Sequence, residues 1–305
     1  MAAGVIRAMC VFAEPLLKSV SAIAVVALGL PLAASSSTLA AEKAPRRDMV
    51  FSIVRTGNPS CEPDCPEWIA ADGDIVADSA DAFRAILTKA GDRKLPLLIN
   101  SLGGRVDVAV TMGRLIRERA MTVEVARTDY LTCEPWDEKC EPDLRDGTYK
   151  GRANTSFGIC NSACPLVLAG GSRRIASPLS RIGVHQTVTT QEKYRDIYRS
   201  TSRKLSDGTV VTEKEHVERQ KIGTVTTTEM TEALRRELES YLVSMDIKPA
   251  LIDLMQSTPP DDIRYLNDQE LKAFGVATEI HEIEPLVGHR ICGSRSRPKN
   301  CVVRR

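Results

Sequence analysis

Short apolar runs alternate with amphipathic stretches through the first half of the chain. Strands are predicted for the apolar or β-branched runs at 48–55, 68–75, 95–99 and 122–126. Apolar residues at helical spacing predict helices over 79–91 and from residue 106 onward. Strands that alternate with helices are typical of an α/β layer fold with parallel strands.

The second half of the chain begins with a different pattern. Between residues 193 and 225, polar and apolar residues alternate on both sides of Asp207-Gly208, a pair favoured in two-residue hairpin turns. This pattern predicts a protruding β-hairpin whose charged faces suit solvent or a partner subunit. Helices are then predicted over 229–245, with Thr226 and Glu229 as a capping box, over 249–256, and between Asn267 and Gly275.

Residues 127–157 are polar and predict a surface loop inserted into the layer fold. Cys133 and Cys140 lie within this stretch, and a disulfide between them would clip the loop.

The first 41 residues have the layout of a secretory signal peptide. Basic Arg7 and Lys18 precede an apolar run over 20–34, and small residues lead to a cleavage site near Ala40 or Ala41. An uncleaved membrane anchor is the alternative, but the run is shorter than the roughly 20 residues that span a bilayer. Membrane association is therefore expected only if the leader is retained. The predicted organisation is a signal peptide at 1–41, a domain at 48–285 with a hairpin insertion at 193–225, and a basic tail at 286–305.

Cysteine usage agrees with export. Of nine cysteines, Cys10 lies in the leader and eight fall in local pairs, and an even count behind an export signal indicates disulfides in an oxidising compartment. Local pairing is the simplest of many connectivities. The candidates are Cys61 with Cys65, Cys133 with Cys140, Cys160 with Cys164, and Cys292 with Cys301. A zinc site is disfavoured because paired C-x-x-C knuckles are lacking, so no metal is expected.

Composition excludes some classes of function. The chain is 43% hydrophobic and 27% charged, as in ordinary globular proteins. Without residues 1–41 it carries 39 basic and 39 acidic residues. This balance gives no support for nucleic-acid binding.

Two segments carry candidate chemistry. The predicted strand at 95–99 runs into Gly103-Gly104, which permits unusual backbone angles and leaves N–H groups free to face a ligand, although a tight βα turn alone would also explain it. Further on, Ser162 lies at a loop-to-helix junction, and His185 follows Gly183-Val184. A serine hydroxyl needs a nearby base, so Ser162 and His185 are a candidate nucleophile and base. The cysteines that flank Ser162 are rival nucleophiles, but in an oxidising compartment a bridge is favoured over free thiols.

The segments INSLGGRVDVA, CNSACPLVLAGG, RIGVHQ and YLNDQELKAFGV follow one another in the order found in ClpP-like serine peptidases. The chain resembles this family of the ClpP/crotonase superfamily over residues 68–280, and within it an exported bacterial group of undefined substrate. The resemblance implies stacked ββα units, a peptide or protein substrate, and assembly into trimers or larger rings. It implies no cofactor.

By position in these motifs, the resemblance makes Ser162 the nucleophile and His185 the general base. Backbone N–H groups of Gly103, Gly104 and Ala163 would face the oxyanion. The family's acid has no clear counterpart. Ser257 or Thr258 occupies the expected place, with Asp261 in reach only if the loop shifts.

Three alternatives compete with a Ser–His hydrolase. Signal-peptide peptidases of the same superfamily use a Ser–Lys pair, for which Lys193, Lys204 or Lys214 would be the base. An exported binding or scaffold protein could keep the fold without turnover, because the acid is unassigned. A crotonase-type acyl-CoA enzyme is disfavoured, since CoA is a cytoplasmic cofactor. The sequence therefore predicts a periplasmic or secreted serine hydrolase, more specifically a peptidase.

Overall fold

A computed structural model describes residues 47–143, 147–156 and 158–304 of the chain. The predicted signal peptide and Cys10 lie outside these ranges. Within them, no helix is both long and apolar enough to cross a membrane.

Between residues 50 and 125 the strands and helices follow one another in the predicted order. The strands are β1 (Val50–Thr56), β2 (Asp64–Asp72), β3 (Leu97–Asn100), β4 (Thr122–Val125), β5 (Arg127–Tyr130), β6 (Tyr149–Asn154), β7 (Ile159–Asn161), β8 (Arg173–Ala176), β9 (Arg181–Val184), β10 (Thr189–Lys204), β11 (Val210–Thr227), β12 (Arg264–Tyr265), β13 (Glu279–Ile280) and β14 (Cys301–Val303). The helices are α1 (Ser79–Ala90), α2 (Val106–Glu118), α3 (Cys164–Ala169), α4 (Glu232–Ser244), α5 (Leu251–Gln256), α6 (Asp268–Phe274) and α7 (Glu284–Val287).

The main sheet runs in the order β13-β8-β4-β3-β2-β1-β6-β5, and β14 pairs with β2 outside this path. Its centre is parallel: β3 pairs with both β2 and β4, and β4 pairs with β8. Leu97, Leu98 and Ile99 of β3 are completely buried. Continuous apolar strands of this kind occur where both faces of a parallel sheet are covered. The predicted α/β class is confirmed.

A second, smaller sheet holds the strands that lead to Ser162 and His185. Its order is β12-β9-β7, with β7 and β9 parallel. The main sheet joins it just after β3, where the Ser101 N–H donates to the Ile159 carbonyl at 2.7 Å and the Asn161 N–H donates to the Ser101 carbonyl at 3.0 Å.

The protruding hairpin is confirmed and is longer than predicted. Strands β10 and β11 pair antiparallel from Thr189 with Thr227 to Lys204 with Val210, with a turn at Gly208 in a left-handed conformation. Because β11 continues to Thr227, Thr226 lies in the ladder and does not cap the next helix. The cap of α4 is Thr231, whose hydroxyl accepts from the Leu234 N–H at 3.2 Å.

The prediction of loop for residues 127–157 was wrong at its two ends. Strands β5 and β6 extend the main sheet beyond β1. Their polar composition hid them, yet they pack on the core, since buried Trp68 donates its indole N–H to the Thr128 hydroxyl at 3.0 Å.

All four predicted local cysteine pairs form disulfides: Cys61–Cys65, Cys133–Cys140, Cys160–Cys164 and Cys292–Cys301. The Cys292–Cys301 disulfide forms a loop within the C-terminal tail, and β14 of the tail pairs with the start of β2. Beneath this edge Arg55 is fully buried, binds Glu62 and Glu67, and donates to the Val302 carbonyl at 2.9 Å.

Candidate active site

The site is built where two parallel strands end side by side. In the pairing of β7 with β9, Asn161 lies opposite Gly183, and the Ser162 N–H donates to the Gly183 carbonyl at 3.0 Å. The next residues on the two strands are Ser162 and Val184, and His185 follows directly. Because paired strands lie about 4.8 Å apart, Ser162 and His185 follow the neighbouring carboxyl ends of β7 and β9.

Ser162 has a strained backbone. Its φ of 61° lies in the left-handed region, which residues with a side chain seldom adopt. Such strain persists only where the surroundings fix it, and it concentrates at functional sites. Here the Cys160–Cys164 disulfide, buried at both ends, closes the turn around Ser162, and α3 begins immediately afterwards.

The glycine pair packs against this turn. Gly103 and Gly104 have φ of 103° and 138°, and a Cβ on Gly103 would lie 2.5 Å from the Cβ of Ser162. On Gly104 it would lie 2.1 Å from the Ile75 carbonyl oxygen. Both distances are far below van der Waals contact, so only glycine fits at either position without a shift of the backbone.

The three predicted oxyanion donors differ in availability. The Gly103 N–H is already bound to the Ser101 hydroxyl at 3.1 Å, and Gly103 is not among the residues that line the cavity beside Ser162. Gly104 and Ala163 do line this cavity. In the described part of the chain neither of their N–H groups donates to a protein acceptor. These two are therefore the donors that a developing negative charge could use.

His185 is half-buried at the same cavity. Burial lowers the pKa of its imidazole, and the nearby Pro260 carbonyl partly opposes this shift. Its Nδ1 is buried and makes no hydrogen bond with any described residue. A lowered pKa keeps the imidazole neutral, which is the form that can accept a proton.

The loop after α5 holds the chain next to His185 through main-chain carbonyls. The Gln186 N–H donates to the Thr258 carbonyl at 2.9 Å, and the Gln186 side-chain amide donates to the Gln256 carbonyl at 2.7 Å. Gln186 lies in the GVHQ segment but its role was not predicted, and the proximity of Pro260 has no signal in the sequence.

The residues considered for the third catalytic position do not supply a side chain to His185. The hydroxyls of Ser257 and Thr258 both donate back to the Leu254 carbonyl, at 2.8 and 3.2 Å. Asp261 is exposed on the following turn.

The cavity has a volume of about 710 Å³, within the range of small-molecule sites. Its walls are mainly apolar, with Ile75, Val106, Val110, Leu166, Leu234, Leu238 and Met255 among the lining residues, and they also include the charged residues Asp74, Arg105, Asp107 and Glu237. Val188 and the first two residues of the hairpin, Thr189 and Thr190, form a further part of the wall. The rival bases Lys193, Lys204 and Lys214 lie further out on the hairpin strands and do not line the cavity.

Comparisons with known proteins give distant likenesses only. No protein-family model matches the sequence, and no curated protein matches it. A solved structure of a mutant of the membrane-bound stomatin-specific protease 1510-N aligns with 74% of this chain and 84% of its own, at 13% identity and a TM-score of 0.39. ClpP1 from Listeria monocytogenes aligns with 68% of this chain and 87% of its own, at 15% identity and a TM-score of 0.37. Likenesses this low assign neither a family nor an activity.

Substitution of Gly104 by alanine is expected to destabilise the protein more than the same change at Gly91. Both glycines have positive φ, but a Cβ at Gly91 meets no atom within 4 Å, whereas one at Gly104 collides with Ile75. A positive φ disfavours any residue with a side chain, at a cost on the order of 1–3 kcal/mol at either position, and the collision adds to that cost at Gly104 alone. Urea unfolding of the two variants measures it. Equal losses would show that the turn is free to move.

Proposed function

We propose that the chain is an exported serine hydrolase of the peptidase type, with Ser162 as nucleophile and His185 as general base. The observation that carries the proposal is the parallel pairing of β7 with β9, which releases a strained serine and a histidine at one edge of a cavity. The four disulfides support an oxidising compartment, in the periplasm or outside the cell.

In the proposed reaction the neutral imidazole of His185 takes the proton of the Ser162 hydroxyl as the oxygen attacks the substrate carbonyl. The carbonyl π bond becomes an oxyanion, which the N–H groups of Gly104 and Ala163 stabilise. Loss of one such donor typically costs on the order of a hundredfold or more in rate. His185 then gives its proton to the leaving amine or alcohol as the scissile bond breaks, and water removes the acyl group from Ser162 by the same steps.

The imidazole is oriented in this proposal by main-chain atoms. Gln186 clamps the segment beside His185 to the carbonyls of Gln256 and Thr258, and this places the Pro260 carbonyl near the ring. Nδ1 of His185 makes no hydrogen bond in this structure, so the nearby carbonyl is the candidate acceptor for its proton, and a carbonyl would stabilise the imidazolium less than a carboxylate does. In this proposal the site works as a Ser–His pair, without a catalytic role for Ser257, Thr258 or Asp261.

The mainly apolar walls of the cavity suit an apolar side chain of a peptide or protein substrate. The structure gives the rival Ser–Lys pair no support, since the three candidate lysines lie away from the cavity in the described chain. One observation favours a second function, an exported binding protein without turnover: no carboxylate reaches His185 among the described residues.

Labelling with a fluorophosphonate probe decides between turnover and binding. We expect a single adduct on Ser162, detected by mass spectrometry, that is lost in Ser162→Ala and reduced about a hundredfold or more in rate in His185→Ala. Ser172→Ala, which removes a hydroxyl bound to the carbonyls of Ala120 and Met121, is the control and keeps full labelling. An unlabelled wild-type protein would leave the binding function as the better reading.

The pH dependence of labelling tests the role of His185. Burial lowers the pKa of its imidazole, so the base stays neutral to lower pH than an ordinary histidine. The acid limb of the rate profile should therefore lie below about pH 6.5. His216→Ala, which changes a histidine on the hairpin, should leave the limb in place. A limb above that value would contradict the proposed base.

The disulfide around Ser162 should raise its reactivity. Replacement of Cys160 and Cys164 by alanine removes the link that closes the strained turn, so the labelling rate should fall about tenfold or more, because a misplaced nucleophile loses alignment. Cys61 and Cys65 replaced in the same way remove a disulfide of equal span on another edge, and labelling should then stay near the wild-type rate. Equal rates in the two double variants would show that the turn holds its shape without the bond.

A further inference from the structure

Asp72 is a buried carboxylate that the proposed mechanism does not use. It is the last residue of β2 and only 1% exposed, and the side chains of Trp68 and Ala70, which precede it on the same face of the strand, belong to an apolar cluster. Asp72 forms no ion pair with any described residue. A buried carboxylate without an opposite charge in contact is costly. Stability alone therefore does not account for a carboxylate at this position.

The side-chain amide of Asn100 binds this carboxylate. Asn100 is the last residue of β3 and the register partner of Asp72, so the two side chains lie next to each other on one face of the sheet. The Asn100 Nδ2 donates to the Asp72 Oδ1 at 3.0 Å. An ionised carboxylate can only accept hydrogen bonds. The charge of Asp72 therefore fixes the orientation of the amide, with its NH2 group toward Asp72 and its oxygen away.

The oxygen of the same amide holds the strand that carries Ser162. The Asn100 Oδ1 accepts from the N–H of Ile159, the first residue of β7, at 3.0 Å. Two main-chain hydrogen bonds of Ser101 join β7 to the end of β3, and the Asn100 side chain adds a third. Ser162 directly follows β7, so the position of its hydroxyl depends on how firmly this strand is held.

We propose that Asp72 is a positioning residue for Ser162, acting through the Asn100 amide on the start of β7. The inference rests on the proposed function, because it concerns the reactivity of Ser162. With Asp72 ionised, the amide oxygen is directed at the Ile159 N–H. With Asp72 neutral, its carboxyl group can donate as well as accept. The amide can then turn and present its NH2 group to the Ile159 N–H, which leaves that N–H without this acceptor.

The surroundings of Asp72 place its change of charge in the range of mild acidity. Four other titratable groups act on it, from the segment before β1 and from β5: Arg47, Arg127, Asp129 and Tyr130. Burial is the largest influence and raises the pKa of Asp72 to about 6, although the Asn100 amide and the two arginines favour the charged form. Burial also raises the pKa of Tyr130, so this phenol stays neutral.

This direction of the pKa shift separates positioning from stability. Folding raises the pKa of Asp72 from its ordinary 3.8 to about 6, so the fold favours the neutral carboxyl group. The stability that this preference supplies is full below pH 3.8 and is lost as the pH rises through about 6. Above that pH, Asp72→Asn should therefore be at least as stable as the wild type. A purely structural role would not lower reactivity in a variant that keeps its stability.

Asp72→Asn tests the proposal through the rate at which the fluorophosphonate probe labels Ser162. An asparagine amide can donate or accept, as a neutral carboxyl group can, so at every pH the variant should behave as the wild type does in acid. We expect the wild type to react about tenfold faster than the variant at pH 8, and the two rates to converge at about pH 4.5. Both proteins contain His185, so its titration cancels in the ratio of the rates. Urea unfolding at pH 8 measures the stability of both.

Two further variants show whether the effect passes through Asn100. Asn100→Ala removes the amide, so labelling should slow about tenfold or more, and addition of Asp72→Asn should slow it no further. Thr128→Val is the matched control, because it removes a buried hydroxyl that binds Trp68 on the same face of the sheet. This control should be labelled at the wild-type rate at both pH values.

Hydrogen exchange at the Ile159 amide measures the positioning without any chemistry at Ser162. At pH 8 the protection factor of this amide should be about tenfold lower in Asp72→Asn than in the wild type, because the oxygen that binds it is no longer fixed. The Ala126 amide, which donates to the Ile99 carbonyl of β3 at 3.1 Å, should keep its protection.

Each result either supports the proposal or overturns it. Equal labelling of Asp72→Asn and the wild type at pH 8 would overturn it, as would a ratio of rates that is the same at both pH values. A loss of stability in Asp72→Asn at pH 8 that matches the loss of labelling would assign a structural role instead. If Ser162 of the wild type takes no probe, the proposed hydrolase falls and the exchange measurement decides. Lower protection at Ile159 then keeps Asp72 as the group that holds β7, and unchanged protection rejects it.

Discussion

The parallel pairing of β7 with β9 is the constraint on which the site depends. The pairing sets the register of the two strands and so decides that Ser162 and His185 follow strand ends that lie side by side. The hydrogen bond from the Ser162 N–H to the Gly183 carbonyl belongs to this one register. A slip of the register by a single position would turn the serine to the other face of the sheet. The relative position of Ser162 and His185 therefore depends first on the register of β7 and β9.

Three independent contacts keep the turn at Ser162 in its strained form. The Cys160–Cys164 disulfide links the two sides of the turn, and the Gly103 Cα packs closely against the Ser162 side chain. The bridge between Ser101 and Cys160 joins β7 to the main sheet. Strain of this kind costs on the order of 1–3 kcal/mol. The buried parallel sheet and the helices packed on it supply the rigidity that holds it.

The order of strands and helices, the long hairpin and the disulfide pairs could all be predicted, because each has a local signal: apolar periodicity, an Asp-Gly turn, or close cysteine spacing. Strands β5 and β6 could not, since edge strands need little apolar alternation when their neighbour supplies the core. Ser162 and His185 were predicted as site residues from motifs, and both line one cavity. The Pro260 carbonyl was beyond sequence reasoning, because any residue has a carbonyl and only the fold decides where it lies.

The contact of Arg55 with Val302 joins residues that lie 247 positions apart. Of the three described strands that pair with β2, β14 lies last in the chain and is synthesised last. The buried Arg55 guanidinium can contact the Val302 carbonyl only after that. The sheet edge at β2 stays incomplete until β14 has been made. A buried guanidinium that takes one of its acceptors from β14 makes the stability of the β2 edge depend on a strand that lies far along the chain, because loss of that strand would leave a buried donor without this partner.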